Sequence, residues 1–182
     1  MNLNKNNTIT IKAKNVKILA CDVDGVLTNG KIIMSNNIEE IKIWNVKDGF
    51  GYNELAKIIP KIKTAWITAA KSSNQVKWRA KNLQIDCLIQ NCSHKKNALE
   101  KILKKNKLNM SEVAYIGDDL LDLCILKTVG FSICPMDASN DIKNIVDYVS
   151  NFNGGEGVVR EVIEIIIKAK GKWCKILNKY TC

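Results

Sequence analysis

The organisation of this chain follows from residues 18–29, which read Ile-Leu-Ala-Cys-Asp-Val-Asp-Gly-Val-Leu-Thr-Asn. A short apolar run that ends at two aspartates, Asp22 and Asp24, is typical of a buried parallel strand with a polar carboxyl end. In open α/β sheets that end is where ligands bind. Two carboxylates this close repel each other unless a cation or a shared proton lies between them. Mg²⁺ suits such a pair, because it takes few protein ligands and keeps water or phosphate oxygens.

The remaining chain alternates strand-like apolar runs with helix-like segments, which predicts a parallel sheet with right-handed crossovers. A β-hairpin is expected at about residues 30–46, around a polar turn. We therefore predict an α/β fold with a Rossmann-like sheet flanked by helices, in a single domain over residues 1–182 that ends in a basic tail at about 171–182. Further strands are predicted at 64–68, 85–90, 113–117, 130–133 and 146–149, and helices at 48–59, 72–82, 95–106, 120–127, 138–144 and 158–170.

Composition indicates a globular protein, with 46% hydrophobic and 25% charged residues in 182. No run approaches the roughly 18 apolar residues of a membrane span, and the first ten residues are polar, so we expect a soluble, cytoplasmic protein with no membrane contact. The seven cysteines are scattered without ligand spacing, which favours reduced thiols over zinc or disulfides.

The net charge of +10 raises the possibility of nucleic-acid binding, but its distribution argues against that function. Only Arg79 and Arg160 are arginines, whereas base readout and phosphate clamps favour arginine. The excess charge lies near the two ends, where it is either solvated or helps to attract an anionic substrate. The lysines concerned are Lys5, Lys12, Lys14, Lys17, Lys168, Lys170, Lys172, Lys175 and Lys179.

Polar side chains stand at or just beyond the ends of four predicted strands. They are Asp22 with Asp24, then Thr68, Lys95 and the acidic run at 117–122. Each one alone is explained by a helix cap, a surface lysine or a solvated turn. Because parallel strands end at one edge of a sheet, their joint order instead favours a common site.

These residues suit phosphoryl transfer through a covalent aspartyl phosphate. Asp22 is the expected nucleophile, and Asp22 and Asp118 are the expected Mg²⁺ ligands. Asp24 would protonate the leaving oxygen and then deprotonate the attacking water. Thr68 and Lys95 would hold the phosphoryl oxygens. The residues expected to position Lys95 and the waters of the metal are Asp119 and Asp122.

The motifs at 22–28, Thr68, Lys95 and 117–122 together resemble those of the haloacid dehalogenase superfamily of aspartyl phosphatases. With the segments 39–51 and 154–161, the chain is similar more narrowly to the phosphatases of 3-deoxy-D-manno-octulosonate 8-phosphate, which act in lipopolysaccharide precursor synthesis. The similarity covers about residues 10–173. It implies the superfamily fold, Mg²⁺ with the backbone carbonyl of Asp24 as a further ligand, and a homotetramer.

One departure concerns substrate recognition. The resembling family usually carries Gly-Arg after the threonine of its second motif, whereas Ala69 and Ala70 follow Thr68 here. The residues expected to carry out phosphoryl transfer are all present, so a small sugar-acid phosphate remains the expected substrate. A nine-carbon sugar-acid 9-phosphate or a non-catalytic assembly role stays open, and a phospho-receiver is disfavoured by the motif order. Candidate substrate contacts are Lys47, Lys71 and Arg160.

The spacing between motifs leaves no room for a cap domain. Residues 25–67 hold only a hairpin and one helix, and residues 69–94 hold only a helix and a strand. Aspartyl-phosphate chemistry benefits from a closed site, so closure is expected from a neighbouring subunit. A hairpin with apolar side chains cannot stand alone and is the expected contact.

Overall fold

The computed structural model describes residues 3–36, 40–58 and 62–181. The strands within them are β1 (Ile18–Cys21), β2 (Ile33–Met34), β3 (Glu40–Ile41), β4 (Lys63–Ile67), β5 (Cys87–Ile89), β6 (Val113–Ile116), β7 (Phe131–Cys134) and β8 (Tyr148–Val149). Strand β1 lies at the centre of a six-stranded parallel sheet, with β4 on one side and β6 on the other. The strand order is β5-β4-β1-β6-β7-β8, and β2 and β3 pair separately as an antiparallel hairpin.

Helices cover both faces of the sheet, and none of those described is long and apolar enough to cross a membrane. Because side chains alternate along a strand, β1 feeds two cores: Leu19 and Cys21 join one, and Ile18 and Ala20 join the other. This confirms the predicted fold class. The helices are α1 (Leu3–Asn15), α2 (Val46–Phe50), α3 (Asn74–Asn82), α4 (Lys95–Asn106), α5 (Leu123–Leu126), α6 (Asn140–Lys143), α7 (Val158–Ala169) and α8 (Trp173–Tyr180).

The N-terminal segment forms helix α1, which the sequence did not predict. Its apolar residues are sparse, but Ile9 and Ala13 are buried against the core that includes α7. Lys12, one of the basic residues near this end, is partly exposed and forms an ion pair with Asp147 at 2.5 Å. Tertiary contact rather than helix propensity therefore holds this segment.

The C-terminal basic tail is also helical over Trp173–Tyr180. Ile176 is buried, and Lys179 Nζ lies 3.1 Å from Glu54 Oε2. Glu54 belongs to the π-helical turn Gly51–Leu55 that continues α2. The tail therefore packs on its own chain in this structure.

The segment around the predicted hairpin differs in detail from the sequence prediction. Each hairpin strand is only two residues long, and residues 37–39 of its turn lie outside the described residues. The helix predicted to begin at Asp48 begins at Val46 instead. Asn45 is its cap, accepting a hydrogen bond from Lys47 N, and Asp48 is buried inside the helix. The predicted end of that helix, at residue 59, lies outside the described residues.

The docking of α1 can be tested with Ala13→Leu. Ala13 is fully buried, so added methylenes overpack the core and should lower the free energy of unfolding by about 1–3 kcal/mol. Urea unfolding measures the change. Ile11→Ala is the matched control, because Ile11 is 64% exposed on the same helix and its truncation should change stability by under about 0.5 kcal/mol. Equal effects of the two variants would contradict the docking of α1.

Candidate active site

The sheet brings the predicted polar residues to one edge. Asp22 follows β1, Thr68 follows β4, Lys95 begins α4 after β5, and Asp118 lies just past β6. Because β1 pairs in parallel with both β4 and β6, these strand ends are neighbours. The arrangement is the convergence that the sequence predicted.

Lys95 is the centre of the charged site. Its side chain is 2% exposed, and Nζ lies 2.7 Å from Asp22 Oδ2 and 2.8 Å from Asp122 Oδ1. Asp122 is fully buried, and its Oδ1 also accepts a hydrogen bond from the hydroxyl of Tyr115 at 2.7 Å. Its Oδ2 accepts one from Asp118 N at 3.3 Å. Asp122 therefore holds Lys95 against Asp22.

Three carboxylates form a cluster that can hold a metal ion. Oxygens of Asp22, Asp118 and Asp122 lie within 4.8 Å of one another. Burial, with the nearby charge of Asp122, raises the pKa of Asp22 to about 6, although Lys95 opposes this shift. Burial and the charges of Asp22 and Asp122 raise the pKa of Asp118 to about 7. Lys95 offsets only part of the repulsion among these carboxylates. A divalent cation, which binds hard oxygen donors, would neutralise the remaining negative charge.

The turn after β1 leaves room for this cluster only because it contains glycine. Gly25 has φ +85°, and a Cβ there would lie 2.0 Å from Asp118 Oδ2. The glycine-rich segment before α7 backs the same turn: Gly155 N donates to the carbonyl of Val26 at 2.9 Å. A Cβ at Gly154 would lie 2.0 Å from the Gly25 oxygen. The segment is thus a turn and helix start that supports the loop after β1.

Asp48 joins α2 to the beginning of α7. Its Oδ1 accepts a hydrogen bond from Arg160 N at 2.8 Å, which satisfies an N-terminal amide of a helix whose own cap, Gly157, has no side chain. Burial raises the pKa of Asp48 to about 6, against the opposing hydrogen bonds from the helix amides. This contact fixes α7 and, through it, the glycine-rich segment.

Asp24 lies outside the cluster of three carboxylates. Its Oδ1 is 2.5 Å from Nζ of Lys42, which follows the hairpin strand β3, and Lys42 Nζ is also 2.6 Å from Glu40 Oε1. Partial burial lowers the pKa of Lys42, but the hydrogen bonds to the two carboxylates outweigh it and raise that pKa overall. The sequence did not single out Lys42, although this residue lies in the segment 39–51 that supports the family resemblance and in a hairpin that returns toward the end of β1.

The side chains of two predicted site residues, Thr68 and Asp119, bond to backbone amides close to them in the chain. The Thr68 hydroxyl is buried and accepts a hydrogen bond from Ala70 N at 3.1 Å. Asp119 is exposed, and its carboxylate accepts a hydrogen bond from Leu120 N at 2.8 Å. Asp119 therefore caps the turn after β6 and does not reach Lys95 in this structure.

The three candidate substrate contacts are not brought together. Lys71 is exposed and lines a cavity of about 250 Å³ that also contacts Glu40 and Gln75, beside the hairpin. Lys47 and Arg160 instead line a larger cavity of about 540 Å³ along α7. The Arg160 guanidinium there pairs with Glu164 at 2.7 Å and lies over the Phe50 ring.

The comparisons with known proteins agree with this geometry. The family of haloacid dehalogenase-like hydrolases matches residues 35–162. The 3-deoxy-D-manno-octulosonate 8-phosphate phosphatase KdsC of Escherichia coli K12 is 40% identical over 164 residues, which cover 90% of this chain and 86% of that protein.

Two solved structures are similar throughout. The same phosphatase from Moraxella catarrhalis, in complex with magnesium ion, phosphate ion and KDO, is 38% identical with a TM-score of 0.91, covering 96% of this chain and 99% of that one. The cobalt-bound enzyme from Haemophilus influenzae is 34% identical with a TM-score of 0.83, covering 88% and 92%. Because 99% and 92% of those two chains are matched, neither of them contains a large domain that this chain lacks.

Because the carboxylates are crowded, we expect the charge of Asp118 to lower the free energy of unfolding. Because the pKa of Asp118 is raised from 3.8 to about 7, the stability gained by binding its proton in the folded state is fully present below pH about 4 and is lost as the pH rises through about 7. Asp118→Asn, which stays neutral, should raise the free energy of unfolding of the cation-free protein at pH 8 by about 1–3 kcal/mol.

Urea unfolding with a chelator, at pH 8 and at steps toward pH 4, measures this gain, which should shrink in acid. Asp119→Asn is the control, because Asp119 is exposed and its charge adds only weakly to the raised pKa of Asp118, so its replacement should give a much smaller gain. An Asp118→Asn protein no more stable than wild type at pH 8 would show that repulsion is not the dominant effect.

Proposed function

This chain belongs to the haloacid dehalogenase-like hydrolase family, and we propose that it hydrolyses 3-deoxy-D-manno-octulosonate 8-phosphate to the free sugar acid and phosphate. The observation that carries the proposal is the Asp22–Lys95–Asp122 contact at the end of the central strand. It joins a carboxylate nucleophile to a buried cation that can hold a phosphoryl group. The similar phosphatases from two bacteria support the substrate.

The reaction proceeds in two displacements. An oxygen of Asp22 attacks phosphorus, the bond from phosphorus to the sugar oxygen breaks, and the carboxylic acid of Asp24 gives its proton to that oxygen. Water then attacks the phosphorus of the aspartyl phosphate, Asp24 takes a proton from the water, and the bond to Asp22 breaks. Lys95 and Thr68 hold the phosphoryl oxygens through both steps.

The carboxylate cluster fits Mg²⁺, because hard oxygen donors from separate strand ends lie close enough to share one ion. Asp22, Asp118 and the backbone carbonyl of Asp24 would hold it. When bound, the ion supplies positive charge that offsets the phosphate oxygens and the crowded carboxylates. Asp122 contributes by holding Lys95, and the role of Asp119 toward waters of the metal stays a prediction.

Substrate recognition depends on the segment after Thr68. Ala70 occupies the position where the related family usually carries arginine, and the adjacent Lys71 is exposed in the cavity beside the hairpin. We propose that Lys71 supplies the positive charge for the acid end of the sugar. Contacts from Lys47 and Arg160 stay predictions, since both residues line a different cavity.

A homotetramer formed through the hairpin, in the cytoplasm, completes the proposal. Among the described residues no cap domain covers the site, and the hairpin and its surroundings expose several apolar side chains. The exposed apolar side chains are Ile32 (75%), Ile33 (39%), Met34 (51%), Ile41 (42%), Ile43 (59%), Val46 (80%) and Trp78 (64%).

The proposal also covers the domain and its partners. The single domain over residues 1–182 acts on a small sugar phosphate, without a nucleic-acid or membrane partner.

The activity is tested by phosphate release with Mg²⁺ from the eight-carbon 8-phosphate, a nine-carbon sugar-acid 9-phosphate and simple sugar phosphates. We expect the highest kcat/KM for the eight-carbon substrate and a loss of at least about 10³-fold in Asp22→Asn, because the nucleophile is removed. Wild type as inert as the variant on every substrate would overturn the enzyme proposal. A preference for the nine-carbon substrate would overturn the specificity alone.

The assembly is tested by light scattering on wild type and Ile43→Asp. A buried charge in the contact should convert the tetramer to smaller species, because an unpaired carboxylate is costly to desolvate. Ile11→Asp is the control: it places the same charge at a side chain of similar exposure on α1 and should leave the tetramer intact. A fully active wild-type monomer would contradict closure by a neighbouring subunit.

A further inference from the structure

Lys42 is not a loose surface lysine. Its side chain is 5% exposed, and its ammonium lies 2.5 Å from Asp24 Oδ1 and 2.6 Å from Glu40 Oε1. Ordering a long lysine side chain costs rotamer entropy, so exposed pairs of this kind contribute little. Here the side chain of the lysine is enclosed, and it bridges the hairpin segment to the loop after β1.

The backbone of Lys42 is also held in place. Its amide donates a hydrogen bond to Gln75 Oε1 at 3.0 Å, and Gln75 Nε2 donates one to the carbonyl of Glu40 at 2.8 Å. Gln75 lies on α3, which is anchored in the core through Val76 and Ala80. A two-residue strand has little pairing of its own, so this side-chain clamp sets the position from which Lys42 reaches Asp24.

The ion pair between Lys42 and Asp24 matters because other charged groups lie close to Asp24 in the chain. Asp24 is two residues from Asp22, whose carboxylate is paired with Lys95. Without the ion pair to Lys42, the Asp24 side chain would be free to occupy several rotamers. Proton transfer needs the carboxyl group within hydrogen-bond reach of the reacting oxygen.

On the basis of the proposed function, we propose that Lys42 is a positioning residue, which holds the carboxyl group of Asp24 at the mouth of the site for proton transfer. The hairpin thereby acts on the chemistry from within its own chain, through one ion pair. Lys42 does not itself exchange a proton or contact phosphorus. Its effect passes entirely through Asp24.

A double-mutant cycle tests this dependence, with single-turnover rates measured at excess enzyme so that slow variants are resolved. Lys42→Met should lower the rate on the sugar-acid phosphate by about 10-fold or more in otherwise native enzyme, and by less than about twofold in Asp24→Asn. KM should change by less than about twofold, and Lys42→Arg should recover to within about threefold of wild type, because it keeps the charge.

The leaving group provides a second measurement. Nitrophenolate departs without a proton from the enzyme, so Lys42→Met should slow its release from p-nitrophenyl phosphate by less than about threefold. Lys31→Met, which removes an exposed lysine at the start of the hairpin segment, is the matched control and should leave both rates unchanged.

Equal losses from Lys42→Met in the native and Asp24→Asn backgrounds, or equal losses for both leaving groups, would overturn the inference. So would Lys42→Met rates equal to wild type on an active enzyme. Wild type that is inert on every substrate would instead overturn the proposed function, so the two failures are distinguishable.

Discussion

The ion pairs of buried Lys95 with Asp22 and Asp122 are the interaction on which the site depends. Burying charges is costly unless they are paired and hydrogen-bonded, and here one ammonium serves two carboxylates while Tyr115 adds a hydrogen bond. The third carboxylate, Asp118, is left without an equal partner, and its pKa is raised to about 7. The folded chain thus carries a surplus of negative charge at one point, which is the condition under which a divalent cation binds.

The scaffold supports this charge cluster through close backbone contacts. The segment Gly154-Gly155 presses against the turn that holds Gly25, at distances that exclude any Cβ. Asp48 caps α7 and so fixes the far end of the same segment. The position of the turn after Asp22 therefore depends on residues more than a hundred positions later in the chain.

The hairpin contacts two parts of its own chain. Lys42 and Gln75 tie it to Asp24 and to α3, so its inner side is coupled to the chemistry. Its outer side exposes apolar residues such as Ile32 and Ile43, which suit contact with another subunit. A segment with so little hydrogen bonding of its own depends for its stability on contacts with the rest of the protein.

The sequence by itself determined the parallel α/β fold and the meeting of Asp22, Thr68, Lys95 and Asp118 at one edge, because strand period and the rule for strand ends are local signals. Helix α1 was missed, since its few apolar residues become informative only when packed against α7. The partners of the charges were likewise decided by tertiary structure. Lys42 reaches Asp24, and Asp122 rather than Asp119 holds Lys95, because these pairings depend on distances across elements that no sequence spacing encodes. The pair of Arg160 with Glu164 is different, because it follows the i,i+4 spacing of a helix.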